Sequence, residues 1–329
     1  MSPDTENPLI SEARARRRQM LLTAFGPTIE AALNDPHVTD ILVNPGGRLW
    51  LDRAGDGRGD TGRILGTEEV ERIIRLVAST VGHEVYEAAP IISTELPETG
   101  ERFEGLLPPV ASAPCFAIRK PAGVLYSLSD YVKSEIMSPS QAEILSDAVL
   151  ARQNIVVVGG TGSGKTTLVN ALLAEIAKTD DRILILEDTR ELQCAAEDVV
   201  ALRTKPGIAA LADLVRSTLR LRPDRIIVGE VRGPEALDML KAWNTGHPGG
   251  ATTLHANSDR AALYRLEQLI QEAVHTVPRR LIAGAVDILI FIEGRGGARK
   301  VRTVSKVTGL DAQGDYTLEP LAPVHLSTV

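Results

Sequence analysis

The sequence predicts an α/β protein in two parts: a small front module of short strands and helices, then a mostly parallel sheet covered by helices. Three observations carry this reading. From residue 154 to residue 292, β-branched apolar runs alternate with helical stretches, as a helix-covered parallel sheet requires. One run, Ile155-Val156-Val157-Val158, leads into a glycine-rich turn and then a helix; it is short and uniformly apolar, like a strand buried on both faces. Ahead of residue 120 the apolar runs are separated by proline and glycine, the punctuation of short strands and turns.

Composition bounds the class. A chain of 329 residues is long enough for about two domains, each with its own core. Charged residues are 24% and the hydrophobic class 43%, ordinary for a globular protein. Aromatic residues are 3% and the net charge is −7, so base-stacking platforms are scarce and stable nucleic-acid binding is not expected. Cys115 and Cys194 are too few for a disulfide framework or a four-cysteine zinc site. No apolar run reaches membrane-spanning length and the start of the chain is polar and arginine-rich. The expected location is therefore cytoplasmic, with any membrane contact peripheral, at the inner face.

In chain order, residues 1 to about 10 read as a loose tail. Arg14, Arg16, Arg17 and Arg18 open a helix that turns apolar at Met20-Leu21-Leu22. Ile41-Leu42-Val43 and Leu49-Trp50-Leu51 flank Asn44-Pro45-Gly46-Gly47 as a β-hairpin. Arg53 to Gly62, rich in Gly and Asp, reads as a surface loop. A helix starts near Thr67, with Val70, Ile73, Ile74, Val77 and Val81 on one stripe and Gly82 at its end. Ile91-Ile92, Phe103 to Leu107 and Cys115 to Ile118 complete the module as short strands.

Pro121 to Pro139 lacks periodicity until Ser138-Pro139 caps a new helix. The expected boundaries are a flexible or helical tail over 1–19, a front α/β domain over 20–120, a linker over 121–138 and the sheet domain over 139–329. Strands are expected at Asn154–Val158, Arg182–Leu186, Val199–Leu202, Arg225–Val228, Ala251–Leu254 and Asp287–Ile292. Lys300–Val307 and Tyr316–Leu318 fit an edge hairpin.

The chemistry concentrates in the sheet domain. Gly159-Gly160-Thr161-Gly162-Ser163-Gly164-Lys165-Thr166 is a complete phosphate-binding loop in the strand-to-helix context it needs. Gly160 to Gly164 bend so that backbone N–H groups face phosphate oxygens, and the following helix, opening through Thr166 and Thr167, adds partial positive charge. Lys165 is expected to bridge the β- and γ-phosphates and the Thr166 hydroxyl to hold Mg²⁺. The ligand this implies is a nucleoside triphosphate.

Two apolar strands deliver acids at their carboxyl ends, where ligands of open parallel sheets gather: Glu187-Asp188 after Ile183–Leu186, and Glu230 after Ile226–Gly229. Glu230 is the first choice for base or metal organiser and Glu187 for orienting the attacking water, though the two roles can be exchanged. The plain structural alternatives are a strand-end turn for Glu187 and a pair with Arg232 for Glu230. Thr245 to Ala256 sets glycines around His247 and ends a small-residue strand at His255, a pattern suited to backbone approach to a phosphate and to a hydrogen bond that changes as the γ-phosphate leaves. A satisfied turn histidine is the competing reading, stronger for His247 than for His255. Arg102 and Arg119 stand in the front module; alone, such residues are more often surface than catalytic.

Taken together, the phosphate loop to Thr167, the acidic string Ile185-Leu186-Glu187-Asp188-Thr189-Arg190-Glu191-Leu192, the string Arg222 to Gly233 with Gly229-Glu230-Val231-Arg232-Gly233, and the histidine string Gly246 to Ala256 resemble the type II/type IV secretion ATPases. The likeness runs from the Thr39 region to about Thr308 and is nearest the conjugative-transfer branch. It implies a RecA-like P-loop ATPase core after a PAS-like α/β front domain. It also implies ATP and Mg²⁺ as cofactors, with Thr166, Glu187 and Glu230 around the metal, and a homo-oligomer, a hexameric ring. The partners implied are inner-membrane components of a secretion or conjugation apparatus. The front-module arginines reaching the phosphates then fit Arg102 and Arg119. Two cysteines cannot build the four-cysteine module of many pilus and type II motors, and the short front half departs from the tight-adherence motors.

The alternatives are a nucleic-acid translocase or helicase on the same core, a pilus or tight-adherence motor, and a small-molecule kinase. Low aromatic content and acidic balance disfavour the first, and the kinase leaves the histidine string and front module unexplained.

Overall fold

The computed structural model describes residues 8–322 apart from 55, 98, 122–124 and 206. The chain divides into two units, Met1–Val124 and Leu125–Val329. Of the tail expected over residues 1–19, residues 1–7 lie outside the described residues and the rest is helical.

The first unit opens with α1 (Pro8–Asn34), which breaks at Gly26 (φ 73°) followed by Pro27, a left-handed residue and a ring that together interrupt the helical ladder. Leu21 and Phe25 before the break and Ile29 and Ala32 after it are buried in one core. Then come β1 (Val38–Val43), β2 (Arg48–Arg53), β3 (Gly57–Ile64), α2 (Thr67–Thr80), β4 (Ile91–Glu95), β5 (Arg102–Leu106) and β6 (Cys115–Arg119). The six strands form one sheet in the order β3-β2-β1-β6-β5-β4, every neighbouring pair antiparallel. The α2 stripe Val70, Ile73, Ile74 and Val77 is buried against the face that carries Ile41, Phe103 and Ile118.

The reading of Arg53 to Gly62 as a surface loop is corrected. Gly57–Ile64 is a strand that pairs with β2 from Arg53↔Gly57 to Arg48↔Ile64. It lies at the sheet edge with nearly every residue exposed, so backbone pairing and a few surface contacts hold it, among them Thr61 Oγ1 donating to the Leu49 carbonyl and Arg48 to Asp60, and its composition keeps a free edge polar.

The second unit comprises α3 (Leu128–Lys133), α4 (Pro139–Leu150), β7 (Ile155–Val158), α5 (Lys165–Ile176), β8 (Ile183–Glu187), β9 (Val199–Arg203), α6 (Leu211–Thr218), β10 (Arg225–Glu230), α7 (Glu235–Asn244), β11 (Ala251–Leu254), α8 (Asp259–Gln271), α9 (Arg279–Ala285), β12 (Ile288–Glu293), β13 (Lys300–Leu310) and β14 (Tyr316–Pro320). Its sheet runs β14-β13-β12-β7-β11-β10-β8-β9. The strands β12 through β9 are parallel to their neighbours, and β13 and β14 add the expected antiparallel edge hairpin.

Alternate residues of the central strands enter two cores. Val156, Val158, Ile226, Val228 and Leu289 pack with α7, α8 and α9. Ile155, Val157, Ile227, Ile288 and Ile290 pack with α4 and α5. Burial on both faces explains why these strands are continuous apolar runs rather than alternating ones.

The stretch expected as a linker differs from that reading. Ser127 caps α3: Asp130 N–H donates to Ser127 Oγ at 3.2 Å and Ser127 N–H to Asp130 Oδ2 at 3.0 Å, a reciprocal capping box. Leu128, Tyr131 and Met137 belong to the second unit's core. Much of 125–138 is therefore packed structure rather than connector. Ser138 caps α4 with Pro139 in its first turn, as read from the sequence.

Candidate active site

The phosphate loop leaves β7 at Gly159 and enters α5 through Gly164, which sits in the left-handed region at φ 92°, a conformation that disfavours any residue with a Cβ. The loop is pressed from outside: a Cβ on Gly159 would lie 2.2 Å from the Ile292 carbonyl oxygen. Lys165 is buried, and its Nζ donates to the carbonyls of Gly159 at 3.1 Å and Gly160 at 3.0 Å. The third neighbour of that ammonium is His255 Nδ1 at 3.3 Å. Ser163 Oγ, in the same loop, is buried without a hydrogen-bond partner among the described residues.

His255 follows β11 and links the loop to the acid at the end of β10. Its Nε2 lies 2.7 Å from Glu230 Oε1, and Glu230 Oε2 accepts from Arg232 Nε at 2.8 Å. These partners assign the tautomer: Nδ1 accepts from the lysine and Nε2–H faces the carboxylate. Burial and the neighbouring Lys165 charge hold the imidazole below its ordinary range, so near neutral pH it is uncharged. Burial likewise lowers Lys165, opposed by the carboxylates of Glu230 and Glu191.

The strand geometry aims Glu230. Val228 pairs with Thr252 but Glu230 pairs with Thr253, so Gly229 is the extra residue of a β-bulge, a device that re-aims a side chain. Thr253 clamps the bulge, its Oγ1 donating to the Gly229 carbonyl at 2.8 Å. A Cβ on Gly229 would lie 3.0 Å from Glu187 Cγ, so the glycine of this string makes room for the first acid.

Glu187 has one oxygen tied to the backbone: its Oε1 accepts the N–H groups of Glu191 at 2.9 Å and Leu192 at 2.8 Å, closing the acidic turn on itself. Burial pushes this carboxyl up to about 7, against those two N–H groups, which favour the charged form. Thr204 Oγ1 donates to Asp188 Oδ1 at 2.9 Å.

The two histidines part company. His255 lies at the carboxyl ends of the strands, whereas His247 precedes β11, at their amino ends, with Nδ1 3.0 Å from the Pro223 carbonyl. Two of the glycines after His247 are required by packing: a Cβ on Gly250 would lie 2.1 Å from Trp243 Nε1, and one on Gly249 would lie 2.7 Å from buried Arg225.

In the first unit, Arg102 and Arg119 are directly opposed across β5 and β6, on one face of the sheet. Arg119 also faces Asp40 across β1 and donates from Nε to its Oδ1 at 2.8 Å.

Three residues escaped the sequence reading. Glu191, four positions after Glu187, acts electrostatically on both Lys165 and Arg232. Arg295 and Arg299, in the turn between β12 and β13, lie against the phosphate loop itself. The signal was the one used for Glu230, charged residues just past an apolar strand, here in Gly294-Arg295-Gly296-Gly297-Ala298-Arg299.

A nucleotide fits this site on two observations among the described residues, a buried Ser163 hydroxyl with no partner and an ammonium bonded to loop carbonyls and an imidazole, contacts that phosphate oxygens can replace. For the metal, no cluster of three or more His, Cys, Asp or Glu side chains stands ready among the described residues. No helix among the described residues is long and apolar enough to cross a membrane.

Comparison with known proteins agrees with the motif likeness. The model of the type II/IV secretion system protein family matches residues 26–292. The chain is 50% identical over 291 residues to the conjugal transfer protein TrbB of Rhizobium radiobacter, a match covering 88% of this chain and 90% of that protein. It is 33% identical over 319 residues to the type IV secretion system protein PtlH of Bordetella pertussis, covering 85% and 93%. The solved structure of the pilus retraction motor PilT with bound ADP is similar with a TM-score of 0.61 at 20% identity, covering 90% of this chain and 82% of that one. That last likeness is one of fold.

Proposed function

The chain belongs to the type II/IV secretion system protein family, and from that premise we propose that it is a Mg-ATP-hydrolysing motor of a conjugative-transfer or type IV secretion apparatus. It works as a homo-oligomer, by family likeness a hexameric ring, on components of that machinery at the cytoplasmic membrane. The observation that carries the reading is the series of close contacts Lys165–His255–Glu230–Arg232, which runs from the phosphate loop to an acid at the next strand ends but one.

The chemistry follows from those contacts. Backbone N–H groups of 160–164 and the start of α5 cradle the β- and γ-phosphates, and Lys165 exchanges the Gly159 and Gly160 carbonyls for phosphate oxygens. Thr166 and Glu230 would hold Mg²⁺, which would supply positive charge against the phosphates. Glu230 accepts the proton of the attacking water as oxygen bonds to the γ-phosphorus and the bond to ADP breaks. His255 keeps that carboxylate oriented and loses its lysine partner while a γ-phosphate is present, so it registers the nucleotide state. Glu187 holds the acidic turn, and with it Glu191, in place. Arg102 and Arg119, by family likeness, neutralise transition-state charge, in their own subunit or a neighbour's.

Phosphate release measured without any acceptor, for the chain and for Lys165→Ala, tests the proposal together with mass in solution by light scattering. The expected result is turnover abolished in the variant and a ring-sized mass in Mg-ATP. Turnover dependent on single-stranded DNA would favour a translocase, and turnover only with a small acceptor would favour a kinase.

A further inference from the structure

The turn between β12 and β13 brings two guanidinium groups onto the phosphate loop. Arg295 Nη2 donates to the Thr161 carbonyl at 3.2 Å, and a Cβ on Gly162 would lie 3.4 Å from Arg295 Nε. Arg299 lies closer still: a Cβ on Gly164 would lie 2.8 Å from both its Cζ and its Nε. Arg299 Nε is buried and has no hydrogen-bond partner among the described residues. The turn is tied down rather than loose. Lys300 Nζ donates to the Glu135 carbonyl at 2.5 Å, Val301 N–H to the Ile136 carbonyl at 2.8 Å, and Arg302 Nε to Glu293 Oε1 at 2.6 Å.

Position in the sheet says what these groups face. β7, which carries the phosphate loop, lies between β11 and β12. His255 and Glu230 stand on the β11 and β10 side. In an in-line displacement the attacking water and the leaving group lie on opposite sides of the transferred phosphorus. If the acids organise the water, the ADP leaving group extends toward β12, where Arg295 and Arg299 are.

We propose that Arg299, assisted by Arg295, binds the nucleoside-proximal phosphate of the nucleotide, ADP and ATP alike, from the β12 flank of the phosphate loop. The inference rests on the nucleotide site proposed above. A guanidinium offers a fork of donors matched to phosphate oxygens, and Arg299 Nε is a desolvated donor whose hydrogen bond is otherwise forgone. The role is binding rather than hydrolysis, because this phosphate's charge changes little between substrate and product.

The test is titration of the full-length chain with a fluorescent ADP and a fluorescent ATP, and competition by inorganic tripolyphosphate, for the wild type, Arg299→Ala, Arg299→Lys and Arg295→Ala. Arg299→Ala is expected to weaken ADP, ATP and tripolyphosphate by similar factors, roughly 10- to 100-fold, with KM rising in step and kcat falling by less. Arg299→Lys keeps the charge but not the fork and should fall between; if the alanine variant does not fold, the lysine variant carries the test. Unchanged ADP affinity in Arg299→Ala, or in Arg299→Lys where only that variant folds, overturns the proposal. So does a loss confined to ATP, which would place Arg299 at the γ-phosphate, and so does a loss confined to nucleotides with tripolyphosphate unaffected, which would mean contact with the base. Lys165→Ala separates the two levels. If it abolishes ADP binding while Arg299→Ala does not, this inference alone fails; if neither variant matters, the nucleotide site itself is misplaced.

Discussion

The ammonium of Lys165 lies 3.3 Å from Nδ1 of His255, so a cation of the phosphate loop and the imidazole of the histidine string share one hydrogen bond. That relationship makes the titration of His255 a report on the phosphate loop. Burial first, and the lysine charge second, hold its pKa below the ordinary 6.5. Lys165→Met removes the positive neighbour and should raise the His255 pKa, as followed by the imidazole resonances in NMR. Because the folded pKa is depressed, this histidine's contribution to stability is present above about 6.5 and is lost as pH falls through the folded value. An unmoved titration would mean the pair is not formed in solution.

Glu187 carries the opposite sign. Its carboxyl is raised from 4.5 to about 7, so the folded state favours the protonated form. The stability it contributes is present below pH 4.5 and is lost as pH rises through 7, an effect on the order of 3 kcal/mol. Glu187→Gln keeps an acceptor for the N–H groups of Glu191 and Leu192 without the charge. Melting temperatures at pH 5 and pH 8 should show the variant gaining on the wild type as pH rises. A constant gap would show that the acid ionises normally.

Gly229 is the close contact behind both acids. Gly229→Ala places a Cβ 3.0 Å from Glu187 Cγ, and crowding of this kind costs roughly 1–3 kcal/mol. Urea unfolding should show that loss, and turnover should fall with it because the bulge aims Glu230. Wild-type stability in this variant would mean that the acidic turn yields without strain.

Arg102 and Arg119, opposed across two strands, are expected to act on transition-state charge. An arginine in that role is worth about 10³–10⁵ in rate. Arg119→Ala should therefore lower kcat by about that factor with ADP affinity little changed, read from phosphate release beside a binding titration. A rate within a few-fold of wild type would leave these residues as surface groups of the front sheet.

The parts of the fold that were legible share a physical cause. Ile155–Val158 is buried on both faces, so its sequence is apolar throughout and its end is marked by glycine; Ala251–Leu254 is equally buried but carries Thr252 and Thr253, whose small side chains fit the same sheet. The edge strand Gly57–Ile64 has no such pattern, since its neighbour sets its conformation. The helix Leu128–Lys133 was readable in principle from Ser127 and Asp130, three residues apart, but its few residues carry no periodicity. In the site, Lys165 was read from the phosphate-loop motif, Glu230 from its position at a strand end and His255 from the end of a small-residue strand. The turn of Glu187 back onto two N–H groups could not be read, because it depends on how a later loop folds over the strand. The approach of Arg299 to Gly164 likewise joins residues 135 positions apart through packing alone.

The most direct test of the account is steady-state hydrolysis of Mg-ATP by Glu230→Gln, with nucleotide affinity measured on the same preparation. The glutamine keeps the shape and the Arg232 and His255 neighbours but cannot take a proton, so affinity should hold while turnover falls by about 10²–10⁴-fold. Turnover at the wild-type rate with intact binding would contradict the account, since the acid at the end of the Lys165–His255 series would then have no part in the chemistry.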